Sequence, residues 1–252
     1  MNYKKMSLTS KICLAAVFMV LATICQKVMA INYIPVIPFL RISFGGPAII
    51  IFSSILLGPW FGLLVGAGSD IIGYLVFDPK NNAFFPQITA IYAVLGFASF
   101  FVFLFVKKLI GSKIIKIVFP AFVLTALTAI LLCIWLIPSF SVFGQEQSLE
   151  LWHKIVITIS SVVLTAFLLI FIMIYAKKNQ TINVYQVAFS LLLIEIVIMV
   201  IFGSFMKGLA FGMPTYPVIL LCQIIVLFFN VPLNTVLISI ISGIVERRNI
   251  EK

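Results

Sequence analysis

Residues 47–77 read PAIIIFSSILLGPWFGLLVGAGSDIIGYLVF. Whether this stretch is one helix or two sets the topology of the whole chain. Gly58-Pro59 interrupts it. The part before the break has about 14 residues from position 44, or roughly 21 Å at 1.5 Å per residue. That is short against a hydrocarbon core of about 30 Å. Charge parity favours two helices. Read as two, the chain has eight apolar spans, at about 12–31, 44–57, 60–77, 85–106, 114–137, 155–176, 184–206 and 218–245. Both termini then share one side with Lys107, Lys108, Lys113, Lys116, Lys177 and Lys178, and that side collects 12 of the 17 Lys and Arg residues. Reading 47–77 as one kinked helix mixes the clusters across both sides. By the positive-inside rule the expectation is a multi-pass protein of the cell (plasma) membrane with both termini cytoplasmic.

Composition agrees with lipid as the solvent: 63% of 252 residues are hydrophobic and 10% are charged. Average soluble domains are nearer half apolar and a quarter charged. Apolar runs that are long and do not alternate predict helices rather than a barrel, giving an all-α integral membrane bundle of about eight transmembrane helices. The net charge of +10 sits at span ends, where it acts as a topology signal, so no nucleic-acid partner is expected. Lys4, Lys5 and Lys11 before an apolar run admit a signal peptide, but 12–31 is long enough to span. Cys13, Cys25, Cys133 and Cys222 lie far apart inside apolar runs and read as small buried hydrophobes, not as a disulfide framework or zinc site. No phosphate-binding Gly-rich loop, zinc-protease motif or nucleophile elbow occurs, and the one histidine, His153, has no partner spacing. The chain is therefore read as a non-enzyme without a cofactor.

Two acids fall at membrane depth, Asp70 and Glu195. A carboxylate there is costly and turns to the bundle interior. Gly62, Gly66, Asp70, Gly73, Tyr74 and Phe77 fall on one helical face, with Asp70 some seven residues below the outer end. The glycines admit a close neighbour. Asp70 is either a ligand contact or an interhelical hydrogen-bond partner, and Glu195 has the same two readings. Gln223, Asn230 and Asn234 share a face of the last span. Gln223, nearer the outside, is the ligand candidate, while the two asparagines read first as interhelical glue. Pro232 is expected to kink that helix. Arg41, just outside a span, either snorkels to the interface or grips a carboxylate. The outward segments 32–43, 78–84, 138–153 and 207–217 are expected to be loops.

Phe39-Leu40-Arg41-Ile42-Ser43-Phe44-Gly45, then Leu57-Gly58-Pro59, Gly62, Gly66, Ser69-Asp70-Ile71-Ile72-Gly73-Tyr74 and Phe85-Pro86-Gln87-Ile88-Thr89 follow in order. This stretch, 39–97, resembles the S component (substrate-binding membrane subunit) of energy-coupling-factor vitamin importers, its folate-type branch most closely. With the last two spans the likeness covers about half the chain. It implies capture of a vitamin, folate first, from outside, and partnership with a transmembrane coupling subunit and two cytoplasmic ABC ATPases. It also implies a six-helix core, carried here by 1–109 and 181–252, with 110–180 an inserted helical hairpin. The chain departs from the pattern on the first helix, where Ala15, Ala16 and Ala22 do not make the usual docking face. For a folate-like ligand, Asp70 and then Glu195 would pair with the pterin edge. Tyr74, Phe77, Phe84, Phe85 and Phe39 would stack on it, and Arg41, Lys80 or Lys27 would meet the anionic tail. Gln87 and Gln223 complete the set. The rival readings are a stand-alone proton-coupled transporter using Asp70 and Glu195, and a membrane enzyme or structural subunit.

Overall fold

The computed structural model describes residues 6–28, 30–31, 42–43, 45–77, 84–109, 112–136, 139–142, 145–148, 150–178, 183–212 and 216–250. Phe39, Arg41 and Lys80 lie outside them. The described chain is a helical bundle: α1 (Leu8–Lys27), α2 (Gly46–Leu57), α3 (Pro59–Phe77), α4 (Pro86–Leu109), α5 (Ser112–Leu136), α6 (Leu151–Lys178), α7 (Val184–Ile194), α8 (Gly203–Phe211) and α9 (Tyr216–Ile250). A π-helical segment, Glu195–Phe202, joins α7 to α8. Two short antiparallel hairpins sit in connections: β1 (Ala30–Ile31) with β2 (Ile42–Ser43), and β3 (Ser139–Val142) with β4 (Gln145–Ser148). Among the described residues six helical runs are long and apolar enough to cross a membrane. Gly46–Leu57 and Ile114–Thr128, the latter inside α5, are shorter apolar stretches. The chain is an all-α, multi-pass membrane protein.

The eight expected spans correspond to these helices, with informative differences. The first begins at Leu8 instead of Ile12, because the Ser7 hydroxyl accepts the Ser10 amide at 3.2 Å and caps the first turn. The break in 47–77 is real: Gly58 takes φ 104° and ψ 169°, a conformation open to glycine, and α3 restarts at Pro59. However, α2 is not a lipid-facing span. Gly46, Pro47, Ala48, Ile50–Ser54 and Leu57 are all buried, so its 12 residues, about 18 Å long, are surrounded by protein. Neighbouring helices thus supply the apolar surroundings that lipid supplies elsewhere. The segment 207–217 is not a loop throughout, since α8 continues to Phe211. His153 likewise falls in the first turn of α6. Pro120 and Pro232 lie inside α5 and α9 without ending either helix. Cys222 is buried as expected, but Cys13 is exposed and Cys25 only half-buried. The lipid-facing surface of α1 accepts a small apolar thiol as readily as a core does.

Close helix approach organises the first half. A Cβ on Gly66 would overlap the Tyr92 carbonyl, one on Gly96 would overlap the Gly62 carbonyl, and one on Gly62 would meet the Gly96 oxygen at 2.5 Å. Contacts thus step up α3 as they step down α4, with main chain against main chain. On its other side α3 lies on α1, where the Thr23 hydroxyl bonds to the Ser69 carbonyl at 3.0 Å. One core joins α1–α4 to α7 and α9 through Ala22, Ile50, Phe52, Val65, Leu95, Leu191 and Ile238. A second joins the end of α4 to α5, α6, α7 and α9 through Val106, Ile115, Phe119, Leu168, Ile172 and Phe228. All three tryptophans, Trp60, Trp135 and Trp152, are exposed at helix ends, the depth at which tryptophan settles in a bilayer.

Two glycines of α3, two residues or about 3 Å apart along its axis, should behave differently. Gly66→Ala is expected to cost about 1–3 kcal/mol, because a backbone carbonyl occupies the space. Gly68→Ala, which meets only the flexible end of Met19, is expected to cost well under that. Unfolding titrations in mixed detergent micelles give the comparison.

Candidate functional site

The first polar centre forms where the α3–α4 register carries the close approach one turn further. Asp70 is 7% exposed and accepts a hydrogen bond from the Thr89 hydroxyl at 2.7 Å. Its carboxylate therefore faces α4, away from lipid. Inserting an Asp at the centre of a membrane helix costs about 2.5–3.5 kcal/mol. An interhelical hydrogen bond in a membrane returns about 0.6 kcal/mol on average and at most about 1.7. Thr89 thus offsets only part of the cost. Lys27, at the end of α1, lays its stem over Gly73, so that a Cβ there would meet Lys27 Cε at 2.7 Å. Gly73 is one turn from Asp70 on the same face, which brings an ammonium group toward the carboxylate. Asp70 and Lys27 each engage in further interactions.

Aromatic groups gather beside this centre at the end of α3. Tyr74 and Phe84 pair with ring centroids 5.1 Å apart and planes tilted by 53°. Phe85 and Gln87 follow at the start of α4, both half-buried. The Gln87 Oε1 is buried without a hydrogen-bond partner. Phe77 is 47% exposed. Its azimuth on the helix is as the periodicity predicts, but α1 ends at Lys27 beside Gly73, and α4 begins only three residues before Thr89. Phe77 therefore stands above its neighbours, toward the end of α3.

The second polar centre lies between the π-helical segment and α9. Glu195, the first residue of that segment, is 1% exposed. Asn234 Nδ2 donates to Glu195 Oε1 at 3.3 Å, Asn230 also hydrogen-bonds the carboxylate, and Lys207 on α8 contributes a positive charge. Asn234 is itself fully buried and its Oδ1 has no partner. The two asparagines read as glue are thus bonded to the acid, with one acceptor left over. Gln223 is buried two turns above Asn230 on the same helix. The π segment and Lys207 were not among the expected site features. A π-helical stretch is rare and recurs at functional positions, yet Glu195-Ile-Val-Ile-Met-Val-Ile-Phe202 is apolar on every face after its first residue and shows no periodicity to mark it. Lys207 sits half-buried within a helix, not in a loop.

Structure therefore brings Asp70, Thr89 and the Tyr74–Phe84 pair together, and separately Glu195, Asn230, Asn234 and Lys207. Among the described residues no group of three or more His, Cys, Asp or Glu side chains is placed to hold a metal ion. No protein-family model, curated protein or solved structure matches the chain.

Two stability experiments probe these centres. In a double-mutant cycle, Asp70→Asn with Thr89→Val should give a coupling of about 0.6–1.7 kcal/mol, whereas zero coupling would mean the 2.7 Å bond contributes nothing. Glu195→Ala strands the amides of Asn230 and Asn234, so it should cost about 1–3 kcal/mol more than Glu195→Gln, which keeps an acceptor.

Proposed function

We propose that the chain is the solute-binding membrane subunit of an energy-coupling-factor importer, taking up a vitamin, folate first, from the extracellular side. The observation that carries this reading is a buried carboxylate, Asp70, beside a ring pair, Tyr74–Phe84, at one end of the bundle. The sequence resemblance over 39–97 supports it independently, because its middle motif contains the same Asp70 and Tyr74. A carboxylate pairs twice with a ring nitrogen beside an amino group, and the rings stack on the heterocycle. Thr89 holds the carboxylate in orientation. Lys27 is positioned to meet an anionic tail, and Arg41 and Lys80 are the further candidates for it. In this reading the termini are cytoplasmic and residues 110–180 are an insertion into a six-helix core. Transport energy comes from a separate coupling subunit and two ABC ATPases.

Glu195 favours a second reading. A carboxylate at 1% exposure with a lysine charge nearby also suits a proton-coupled transporter that works alone. Vesicles holding only this chain separate the two: uptake that an uncoupler abolishes supports the transporter, and binding without uptake supports the subunit.

Mass spectrometry of the detergent-solubilised chain should find a co-purifying heterocyclic vitamin. Asp70→Asn should weaken folate binding by at least about tenfold, or about 1.4 kcal/mol, with the fold intact. Unchanged affinity in Asp70→Asn would remove Asp70 from the site, and absence of any retained small molecule would count against capture.

A further inference from the structure

Three lysine pairs or single lysines far apart in sequence converge at one end of the bundle. Lys107 and Lys108 close α4, Lys177 and Lys178 close α6, and Lys116 stands near the start of α5. All five are exposed. Their neighbours Val106, Ile115 and Ala176 belong to one core, and α5 packs on α6, so the lysine-bearing ends lie at the same end of the bundle. Among the described residues none of the five has an acidic partner, and the segments 107–117 and 172–178 contain no Asp or Glu.

Helix dipoles explain part of this arrangement. A cation at a helix C-terminus is favourable, which accounts for the pairs on α4 and α6. Lys116, in the second turn of α5, gains nothing from a helix C-terminus. The cluster therefore carries self-repulsion that no acid among the described residues relieves, and an anion from outside would. Below the lysines the surface is exposed and apolar, at Leu104, Phe105, Ile114, Ile117 and Ile174. Charged tips above an apolar wall fit a molecule with an anionic head and hydrocarbon tails.

We propose that the face formed by the ends of α4 and α6 and the start of α5 binds the head group of an anionic phospholipid. Lys116 and Lys177 meet its phosphate from two helices, and the hairpin 110–180 anchors the bundle to anionic membrane at this end. The inference rests on charge and packing alone and stands whichever solute the protein takes.

Native mass spectrometry of the full chain, equilibrated with equal phosphatidylglycerol and phosphatidylcholine, tests it. The natural protein should retain phosphatidylglycerol over phosphatidylcholine by about tenfold. Replacing all five lysines by Gln should bring that ratio near one, and replacing them by Arg should preserve it. Should the fivefold Gln variant fail to give a thermal transition in phosphatidylcholine, Lys116→Gln with Lys177→Gln carries the test, with an expected loss of about threefold. An unchanged ratio in a folded Gln variant overturns the proposal. Displacement of the lipid by glycerol phosphate at equal concentration also overturns it, because the site would then recognise a soluble phosphate.

Discussion

At Gly62, Gly66 and Gly96 the main chains of α3 and α4 come so close that no side chain fits between them, and this approach sets the height of the polar groups above it. Helix association in lipid has no hydrophobic drive of its own, so close packing of backbones is a main source of its stability. Once the register is fixed at Gly66 against Tyr92, the next turn brings Asp70 opposite Thr89. A slip of one residue along either helix would turn Asp70 by about 100° and send its carboxylate away from its partner. The glycines therefore belong to the polar centre as much as Thr89 does, though none of them touches it.

The helices and their order were legible in the sequence because lipid demands long apolar runs and the chain marks their ends with Gly, Pro and Lys. Gly58-Pro59 announced a break that the structure realises at φ 104°. What the sequence hid was the solvent of each run. The α2 segment Gly46–Leu57 is as apolar as a lipid-facing helix, yet it is enclosed by protein, and apolarity alone does not distinguish the two surroundings. Asp70 was legible as interior because a carboxylate avoids lipid, and the face it shares with Gly62 and Gly66 was legible from spacing. Lys207 was read as a loop cation because α8 ends in a stretch of Gly, Ala and Phe with no clear stop before Gly212.

The two polar centres differ in how their charge is held. Asp70 is bonded by a hydroxyl beside an ammonium-bearing stem and aromatic rings near a helix end. Glu195 is enclosed by two amides and a more distant lysine charge within the bundle. The first arrangement leaves aromatic faces beside the acid, as stacking needs, while the second surrounds the acid with protein donors. That contrast is why Asp70 carries the proposed capture of a heterocycle and Glu195 carries the alternative of proton movement.

Helices α7 and α9 belong to both apolar cores and so tie the two together. Helix α5 packs on α7, and α6 packs on both α7 and α9, in a core that the end of α4 joins. Two packed helices, α5 and α6, return the chain to the end of the bundle it left. With one helix in their place α7 and α9 would invert together, keeping Asn234 on Glu195. The pair would survive, but its relation to α3 and α4 would not. The polar centre at Asp70 and that at Glu195 hold their mutual orientation because α5 and α6 come as a pair.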